Sequence, residues 1–370
     1  MLIRHANAFI DGRFVPETDV LVRDGRIAAV GRSLTADDEE TVDLQGDYLL
    51  PGFVDVHMHG YGGFDVMNGE EELRRMSRAL RHTGLAAFLP TTDTSCAERT
   101  ANAVRGIQAV MQRPEKDGAI VLGAHMEGPF MSAEKSGALH KEYFVLPTKE
   151  NFERFTGGAG DAVRLISMAP ELDSAMEFID YALSQGIHVS IGHTAADSDT
   201  VHAAADRGAD HVTHTFNAQS PLHHRKPGVP GAALTDDRLF CEVICDGVHV
   251  HPDVVRVIAR CKGKERFAAV TDALTVTGLP EREYNACGHN MIVRSDAAYL
   301  KDGTLCGSKI TMADAFMNLI RFGIAPEDAA MMTTQTPARS VGADDVGVIR
   351  TGAVGLFARF DRNFGFVGAL

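Results

Sequence analysis

The sequence predicts an α/β fold in which eight parallel strands alternate with helices and close into a (β/α)8 TIM barrel. Eight short apolar runs are separated by amphipathic stretches with helical periodicity. Several of these runs end in a side chain that can bind a metal or move a proton. The strands of a closed barrel all finish at one rim, so these side chains are expected to converge there.

The composition limits the size of the fold and the class of partner. The 370 residues, 45% of them hydrophobic, suffice for one large barrel and a smaller appended domain. A formal net charge of -14 argues against binding to nucleic acid or to an anionic membrane. The first residues lack the apolar core of a signal peptide, and no run is long enough to cross a bilayer, so we expect a cytoplasmic protein.

Both ends of the chain are predicted to form a small β domain. Asp11-Gly12 and Asp24-Gly25 each separate two apolar segments, which is the pattern of β-hairpins. The C-terminal stretch returns to short apolar pieces punctuated by glycine. We therefore predict a small β-sandwich domain built from both termini, residues 1–51 and 338–370, beside a catalytic barrel at residues 52–337.

The barrel elements follow Pro51-Gly52 in a regular order. The predicted strands are residues 54–56, 87–89, 120–122, 164–166, 188–191, 211–213, 242–244 and 268–270. The predicted helices between them are residues 70–82, 97–111, 174–184, 197–207 and 252–261. A β-like insertion at 284–305 and helices at 311–322 and 326–334 follow the eighth strand. Helical crossovers between successive strands are typical of a parallel barrel.

The strand ends form a candidate metal site. His57 and His59 alternate along the first strand, so both side chains point to the same side and can bind one ion. The third, fifth, sixth and eighth strands end in Glu127, His193, His214 and Asp272. A lone His-x-His pair is more often structural, but five strands ending in such residues favour a site. Imidazole and carboxylate ligands without thiolate suit zinc or iron in an open catalytic centre.

A basic loop follows the sixth strand in this acidic protein. Residues 220–228 place His223, His224, Arg225 and Lys226 close together. The planar guanidinium of Arg225 suits a phosphate group. The alternative is a solvated basic loop, and the residues alone leave both interpretations open.

Longer segments resemble the N-acetylglucosamine-6-phosphate deacetylase family of the amidohydrolase superfamily. The matching segments are Pro51-Gly52-Phe53-Val54-Asp55-Val56-His57-Met58-His59-Gly60, His125-Met126-Glu127-Gly128-Pro129-Phe130, Gly192-His193-Thr194, His214-Thr215-Phe216-Asn217-Ala218, Asp246-Gly247-Val248-His249, Thr271-Asp272-Ala273 and Gly303-Thr304-Leu305-Cys306-Gly307-Ser308. They follow the family's order over nearly the whole chain. The resemblance implies a barrel of the metal-dependent hydrolase type.

The resemblance also implies roles for individual residues. Glu127, His193 and His214 match the family's principal metal ligands. Some members lack the His pair, so His57 and His59 raise the expected number of divalent ions, zinc or iron, from one to as many as two. Asp272 matches the catalytic acid and base, and His249 is expected to polarise the acetyl oxygen. The residues that match substrate contacts are Ala138, Asn217, Ala218, Arg225, His249, Cys306, Gly307 and Ser308.

The implied reaction is hydrolysis of the acetamide of N-acetylglucosamine 6-phosphate, in amino-sugar catabolism, by a cytoplasmic homodimer. The products are glucosamine 6-phosphate and acetate. The galactosamine epimer is one alternative substrate, and a catalytically silent sugar-phosphate-binding homologue is an alternative of another class. A cyclic amidase is a third. Those relatives usually bridge two metals with a carboxylated lysine on strand four, where this chain has Ser167-Met168-Ala169-Pro170.

Three features depart from the family pattern. Gln219 stands where a methionine is expected, and Lys309 stands where a small hydroxyl residue is expected. The segment 352–357 lacks the usual acidic signature, and the tail after it is short. These departures bear on fine specificity and on packing of the small domain.

Overall fold

The protein, described here from a computed structural model over residues 1–36, 39–286 and 288–370, contains the predicted barrel. We number its strands barrel strands one to eight. They are Phe53–Met58, Leu85–Thr92, Ile120–Val121 continued by Ala124–Glu127, Val163–Met168, His188–Ile191, His211–Val212, Phe240–Ile244 and Phe267–Val270. Each pairs in parallel with its neighbours in chain order. The predicted α/β barrel fold is confirmed.

Helices cover the outside of the barrel. They are Glu70–Arg81, Ala97–Gln112, Lys149–Thr156, Ala175–Ser184, Ser198–Arg207, Gly228–Thr235, Pro252–Arg266, Met312–Arg321, Pro326–Thr333 and Gln335–Ser340. Three of these were not predicted. Gly228–Thr235 is largely buried and contains two glycines and a proline, so neither periodicity nor propensity marks it. Gln335–Ser340 is too short for a periodic signal. Lys149–Thr156 was missed although the capping residue Thr148 and the following Gly157 mark its two ends.

Five of the predicted strands are shorter than the observed ones, and strands three and six differ at the ends that lead to site residues. Strand three is interrupted at Gly123, which has φ +152° and adopts a backbone conformation that other residues rarely enter. Its second half, Ala124–Glu127, carries the functional end of the strand. Strand six ends at Val212, one residue before the predicted end.

Barrel strands one and eight meet through a buried side chain as well as through the backbone. Asp55 accepts hydrogen bonds from Oγ1 of Thr271 at 2.5 Å and from the backbone N of His57 at 3.1 Å. The backbone N of Asp272 donates to the carbonyl of His57 at 2.9 Å. Burial raises the pKa of Asp55 to about 6, so the group remains mainly ionised at pH 7. This seam joins the two strands that carry His57 and Asp272.

The barrel interior beneath the site is polar where branched apolar side chains usually dominate. Nε2 of His125 lies 2.7 Å from Oγ of Ser167, which lies 2.7 Å from Oγ1 of Thr213. Oγ of Ser190 lies 2.6 Å from the same Thr213 oxygen. All four side chains are fully buried. A hydrogen-bonded layer therefore ties strand four to strands three, five and six, which carry Glu127, His193 and His214 at their upper ends.

The chain termini meet in one seven-stranded sheet. Its strands are Leu2–Ile10, Arg13–Arg23, Arg26–Gly31, Thr41–Asp43, Tyr48–Pro51, Phe357–Phe360 and Phe366–Ala369. Phe357–Phe360 pairs antiparallel with Tyr48–Pro51, which leads directly into the barrel, and Phe366–Ala369 pairs antiparallel with Phe357–Phe360. The tail thus rejoins the N-terminal strands as predicted, while the division at residues 52 and 338 stays a prediction.

The insertion after strand eight forms a separate three-stranded sheet of Glu283–Ala286, His289–Val293 and Ala298–Leu300. Two short strands, Gly60–Tyr61 and Phe64–Asp65, pair beside the barrel mouth. Cys287, inside the predicted insertion, lies outside the described residues. Among the residues described, we find no helix with the length and apolar character that a bilayer crossing requires.

Candidate metal centre and substrate pocket

The candidate ligands leave the barrel strands by a common geometry. His193, His214 and Asp272 each lie two residues beyond the last residue of strands five, six and eight. Their φ angles are 45°, 28° and 49°, in the left-handed region that residues other than glycine seldom occupy. Such backbone strain persists only where the surrounding structure enforces it, and it clusters at functional sites. The shared conformation brings three side chains over the barrel mouth.

The first donor group consists of Glu127, His193 and His214. Nε2 of His214 lies 2.9 Å from Oε1 of Glu127 and 3.1 Å from Nε2 of His193. Nε2 of His193 lies 3.3 Å from the same Glu127 oxygen. All three residues are buried. The structure thus brings together the three residues predicted to be the principal metal ligands.

The second donor group consists of His57, His59 and Asp272. Nε2 of His57 and Nε2 of His59 lie 3.3 Å apart. Oδ1 of Asp272 lies 3.6 Å from Nε2 of His57 and 3.4 Å from Nε2 of His59. Glu127 joins the two groups. Its Oε1 is 3.5 Å from Nε2 of His57, and its Oε2 is 3.2 Å from Nε2 of His59.

The spacing of these atoms fits a metal centre. Ligands about 2.0 to 2.1 Å from a tetrahedral zinc ion lie about 3.3 Å from one another. The separations of 2.9 to 3.6 Å in the two groups are close to that value. Glu127 faces both groups, so its carboxylate could help to hold an ion in either of them.

Outer hydrogen bonds orient the imidazoles. Nδ1 of His57 lies 3.0 Å from Oε2 of the buried Glu242, and Nδ1 of His193 lies 2.8 Å from the carbonyl of Lys135. An imidazole that donates from Nδ1 leaves Nε2 free to bind an ion, and such partners commonly support metal-binding histidines. Both rings therefore present Nε2 to the cluster.

The cluster is strongly polarised without an ion. Burial alone would raise the pKa of Glu127, but the surrounding imidazoles hold it well below its ordinary value. Burial alone would lower the pKa of His59, but hydrogen bonds to Asp272 and Glu127 raise it to about 10. Burial likewise opposes ionisation of Asp272, and the hydrogen bond from His59 outweighs it, so its pKa is lowered. Asp272 is therefore a carboxylate at neutral pH.

His249 faces the pocket from the loop after strand seven. Its Nδ1 lies 2.6 Å from Oδ2 of Asp246, whereas its buried Nε2 has no protein partner among the described residues. Burial alone would lower the pKa of His249, but the bond to Asp246 outweighs it, and the pKa is raised. This imidazole can therefore present a charged donor to a ligand.

A cavity of about 250 Å³ opens above the donor groups. The predicted contacts Ala138, Asn217, Ala218, Cys306 and Gly307 line it together with the ligands and His249. His57 lies beneath it. Ser308 is fully buried instead, and its backbone N donates to the carbonyl of Asp272 at 2.9 Å, so Ser308 braces Asp272.

Two ionisable residues in the cavity wall were not predicted. Asp93 follows strand two, so the rule that strand ends carry functional residues would have found it. Its burial raises its pKa to about 6. His289 comes from the insertion, stacks on His140 with ring centroids 4.2 Å apart, and has an unpartnered buried Nε2 among the described residues. Nothing in the sequence places the insertion over the barrel mouth.

Two cations lie away from the cavity. Arg225 is exposed on its loop, and its Nη1 lies 2.7 Å from Nε2 of His224. The structure does not bring it to the cavity within one chain. Nζ of Lys309 donates to the carbonyl of Arg294 at 2.5 Å, so this departure from the family pattern ties the insertion down.

The other departure, Gln219, braces the loop that carries His214. Its Nε2 donates to the carbonyl of Thr213 at 2.8 Å, and its Oε1 accepts from the backbone N of Phe216 at 3.0 Å. The loop needs support because Phe216 and Ala218, like His214, have positive φ angles. A methionine at this position has no group that can make these two bonds.

Comparisons with known proteins agree with this geometry. The model of the amidohydrolase family matches residues 48–362. A protein of Bacillus subtilis called N-acetylglucosamine-6-phosphate deacetylase is 33% identical over 93% of this chain and 89% of its own length. An Escherichia coli O157:H7 protein called N-acetylgalactosamine-6-phosphate deacetylase is 31% identical over 93% and 90%. The crystal structure of N-acetylglucosamine-6-phosphate deacetylase from Pasteurella multocida superimposes with a TM-score of 0.93 at 28% identity, covering 100% of this chain and 97% of the other.

We expect Gln219→Met to loosen the His214 loop. Two buried backbone groups, on Thr213 and Phe216, lose their partner, which costs about 1 to 3 kcal/mol of unfolding free energy. Thermal unfolding and retained metal per chain after dialysis measure the effect, and both should fall. The exposed Gln185→Met is the matched control. Equal behaviour of the two variants would show that the loop keeps its shape without the Gln219 side chain.

The second donor group makes a prediction about stoichiometry. We expect His59→Ala to hold one metal ion fewer per chain than the unaltered protein, while His193→Ala loses activity altogether. Elemental analysis after gel filtration measures the count. His251→Ala, which removes an exposed imidazole that accepts a hydrogen bond from the backbone N of Asp253, far from both donor groups in the sequence, is the control. An unchanged metal count and rate in His59→Ala would make the pair structural.

Proposed function

Because this chain belongs to the amidohydrolase family, we propose that it hydrolyses the acetamide of N-acetylglucosamine 6-phosphate to glucosamine 6-phosphate and acetate in amino-sugar catabolism. The observation that carries the proposal is the carboxylate of Asp272 beside two groups of metal-type donors, at the floor of one cavity. The names of the Bacillus subtilis relative and the Pasteurella multocida structure support the substrate.

The donor sets suit one or two divalent ions. The nitrogen and oxygen ligands contain no thiolate, and we propose zinc or iron for that reason. When bound, such an ion supplies the Lewis acidity that makes water a usable nucleophile near neutral pH. Glu127, His193 and His214 would hold the first ion, and His57 and His59 would hold a second.

Asp272 carries the proton in the proposed reaction. The attacking water forms a bond to the acetyl carbon and gives a proton to the Asp272 carboxylate. The carbon–nitrogen bond then breaks, and Asp272 returns this proton to the departing amine. Its lowered pKa keeps it ready to accept a proton, and its backbone is fixed by the bonds to His57 and Ser308. Positioned proton transfer typically contributes about 10²- to 10⁴-fold.

His249 is proposed to stabilise the oxygen on which negative charge develops. Its Nε2 is buried in the cavity wall with no protein partner among the described residues, so a substrate oxygen can satisfy it. Asp246 fixes the ring through Nδ1. A donor fixed before the reaction stabilises the transition state without reorganisation.

The 6-phosphate is proposed to bind where backbone and cation donors meet. Asn217 and Ala218 line the cavity, and Gly307 lies opposite them on the loop after the insertion. Arg225 does not line the cavity of its own chain, so we propose that it reaches the phosphate of a neighbouring copy in a homodimer. A net charge of -14 repels an anion at long range, which makes a local cation necessary. A phosphorylated sugar is an internal metabolite, and we propose the cytoplasm as the location.

The alternatives are less well supported. A silent sugar-phosphate-binding homologue has no need for two complete donor groups and an ionised Asp272. A cyclic amidase usually needs a carboxylated lysine on strand four, and this chain has Ser167-Met168-Ala169-Pro170 there. The galactosamine epimer is supported by the name of the Escherichia coli O157:H7 relative, so acetate release from both epimers must be measured.

The main test combines both epimers with Asp272→Asn. We expect faster acetate release from the glucosamine derivative, and a loss of at least about 10²-fold in turnover in Asp272→Asn, since an amide cannot carry the proton. Metal content is measured on the same samples and should be largely retained. Near-native turnover in a metallated Asp272→Asn protein would remove Asp272 from the mechanism. If neither epimer releases acetate, the proposed function is refuted.

Arg225→Ala tests the phosphate contact. Loss of one charge-assisted hydrogen bond costs about 1.5 to 3 kcal/mol, or roughly ten- to a hundredfold in kcat/KM for the 6-phosphate. The rate on unphosphorylated N-acetylglucosamine should barely change. Lys226→Ala removes the same charge from the same loop and should stay within about twofold. An equal loss on both substrates would assign Arg225 to folding or assembly.

A further inference from the structure

A second cluster of metal-type donors lies at the opposite end of the barrel. His188 is the first residue of strand five, and Asp210 immediately precedes His211, the first residue of strand six. His193, at the catalytic end of strand five, is five residues further on. At about 3.3 Å per residue, the two ends are separated by about 16 Å along the strand. This cluster therefore takes no part in the catalytic centre.

Both imidazoles contact the same carboxylate. Nδ1 of His188 lies 2.6 Å from Oδ2 of Asp210, and Nδ1 of His211 lies 2.7 Å from Oδ1. One ligand atom from each residue lies within 4.8 Å of the others. Ser190 pairs with His211 across the two strands, and this register places the two imidazoles side by side at the barrel floor.

The cluster is rigid on one side and open on the other. His211 is fully buried and stacks on Phe240, with ring centroids 5.2 Å apart. Its second nitrogen, Nε2, is buried with no partner among the described residues. The side chains of His188 and Asp210 are 29% and 28% exposed, so solvent and ions can reach them. An open metal site requires ligands that are held in place before the ion binds and that the ion can reach. The buried His211 meets the first condition, and the partly exposed His188 and Asp210 meet the second.

We propose that His188, Asp210 and His211 bind a divalent transition-metal ion such as zinc, separate from the catalytic ions. Two imidazoles and one carboxylate form a ligand set that suits zinc, and solvent completes the coordination. The ion replaces the protons that the two Nδ1 atoms share with Asp210, so binding releases protons and is favoured by higher pH. Two further charges act on His211: the carboxylate of Glu242 favours a bound cation, and the guanidinium of Arg266, 4.3 Å above the Phe240 ring, opposes it.

A pair of charge-assisted hydrogen bonds that only braces the strands is the competing explanation. It predicts that removing these side chains leaves the number of bound zinc ions per chain unchanged. The proposal predicts one additional ion in the proteins that keep all three side chains. The test compares the unaltered protein with His188→Gln and Asp210→Asn, all loaded with zinc at the same free concentration. The control is His202→Gln, which removes a partly exposed imidazole whose Nδ1 lies 3.2 Å from Asp236 without a second imidazole.

We expect the unaltered protein and His202→Gln to bind one more zinc per chain than His188→Gln and Asp210→Asn. The catalytic centre contributes equally to all four proteins, and their deacetylase rates should match. The same zinc count in all four would overturn the proposal. Zinc-edge anomalous diffraction from crystals of the unaltered protein gives an independent measurement that does not depend on variant folding. A peak among the three residues supports the site, and its absence refutes it.

Discussion

The site depends on one buried carboxylate. Glu127 lies within 3.5 Å of an imidazole nitrogen from each of His57, His59, His193 and His214, which come from three separate strands. Four imidazoles held this close together, away from water, need a negative group among them, and a cation bound there must compete with protons for the same nitrogens. The barrel, its seam at Asp55 and its polar interior all fix the strand ends around this carboxylate.

Rigidity in this site comes from the partners of its residues. The site residues beyond strands five, six and eight have strained backbone conformations, and each has a separate brace. Lys135 holds the ring of His193, Gln219 holds the loop of His214, and Ser308 holds the backbone of Asp272. Side chains held by several independent contacts keep their relative positions when a ligand binds. The strained backbone conformations of these residues therefore persist because the surrounding contacts enforce them.

The sequence was sufficient to predict the barrel and the residues at the floor of the site. It predicted fewer of the residues in the walls of the cavity. Eight apolar runs and their terminal residues predicted the strands and the convergence of Glu127, His193, His214 and Asp272, because strand direction alone sets that convergence. It could not place Arg225, since a loop on the surface has no register to fix it. His289 and the brace at Gln219 depend on long-range packing that no local pattern encodes. Asp93 was missed although its signal, a carboxylate after strand two, was present.

The sheet formed by both chain ends has a consequence for biosynthesis. Tyr48–Pro51, the strand that leads into the barrel, has its neighbour in Phe357–Phe360, made some three hundred residues later. During translation the N-terminal strands wait with an unpaired edge until the ribosome has produced the barrel and the tail. The edge of Tyr48–Pro51 is thus open to association with another chain until Phe357–Phe360 has been made and pairs with it.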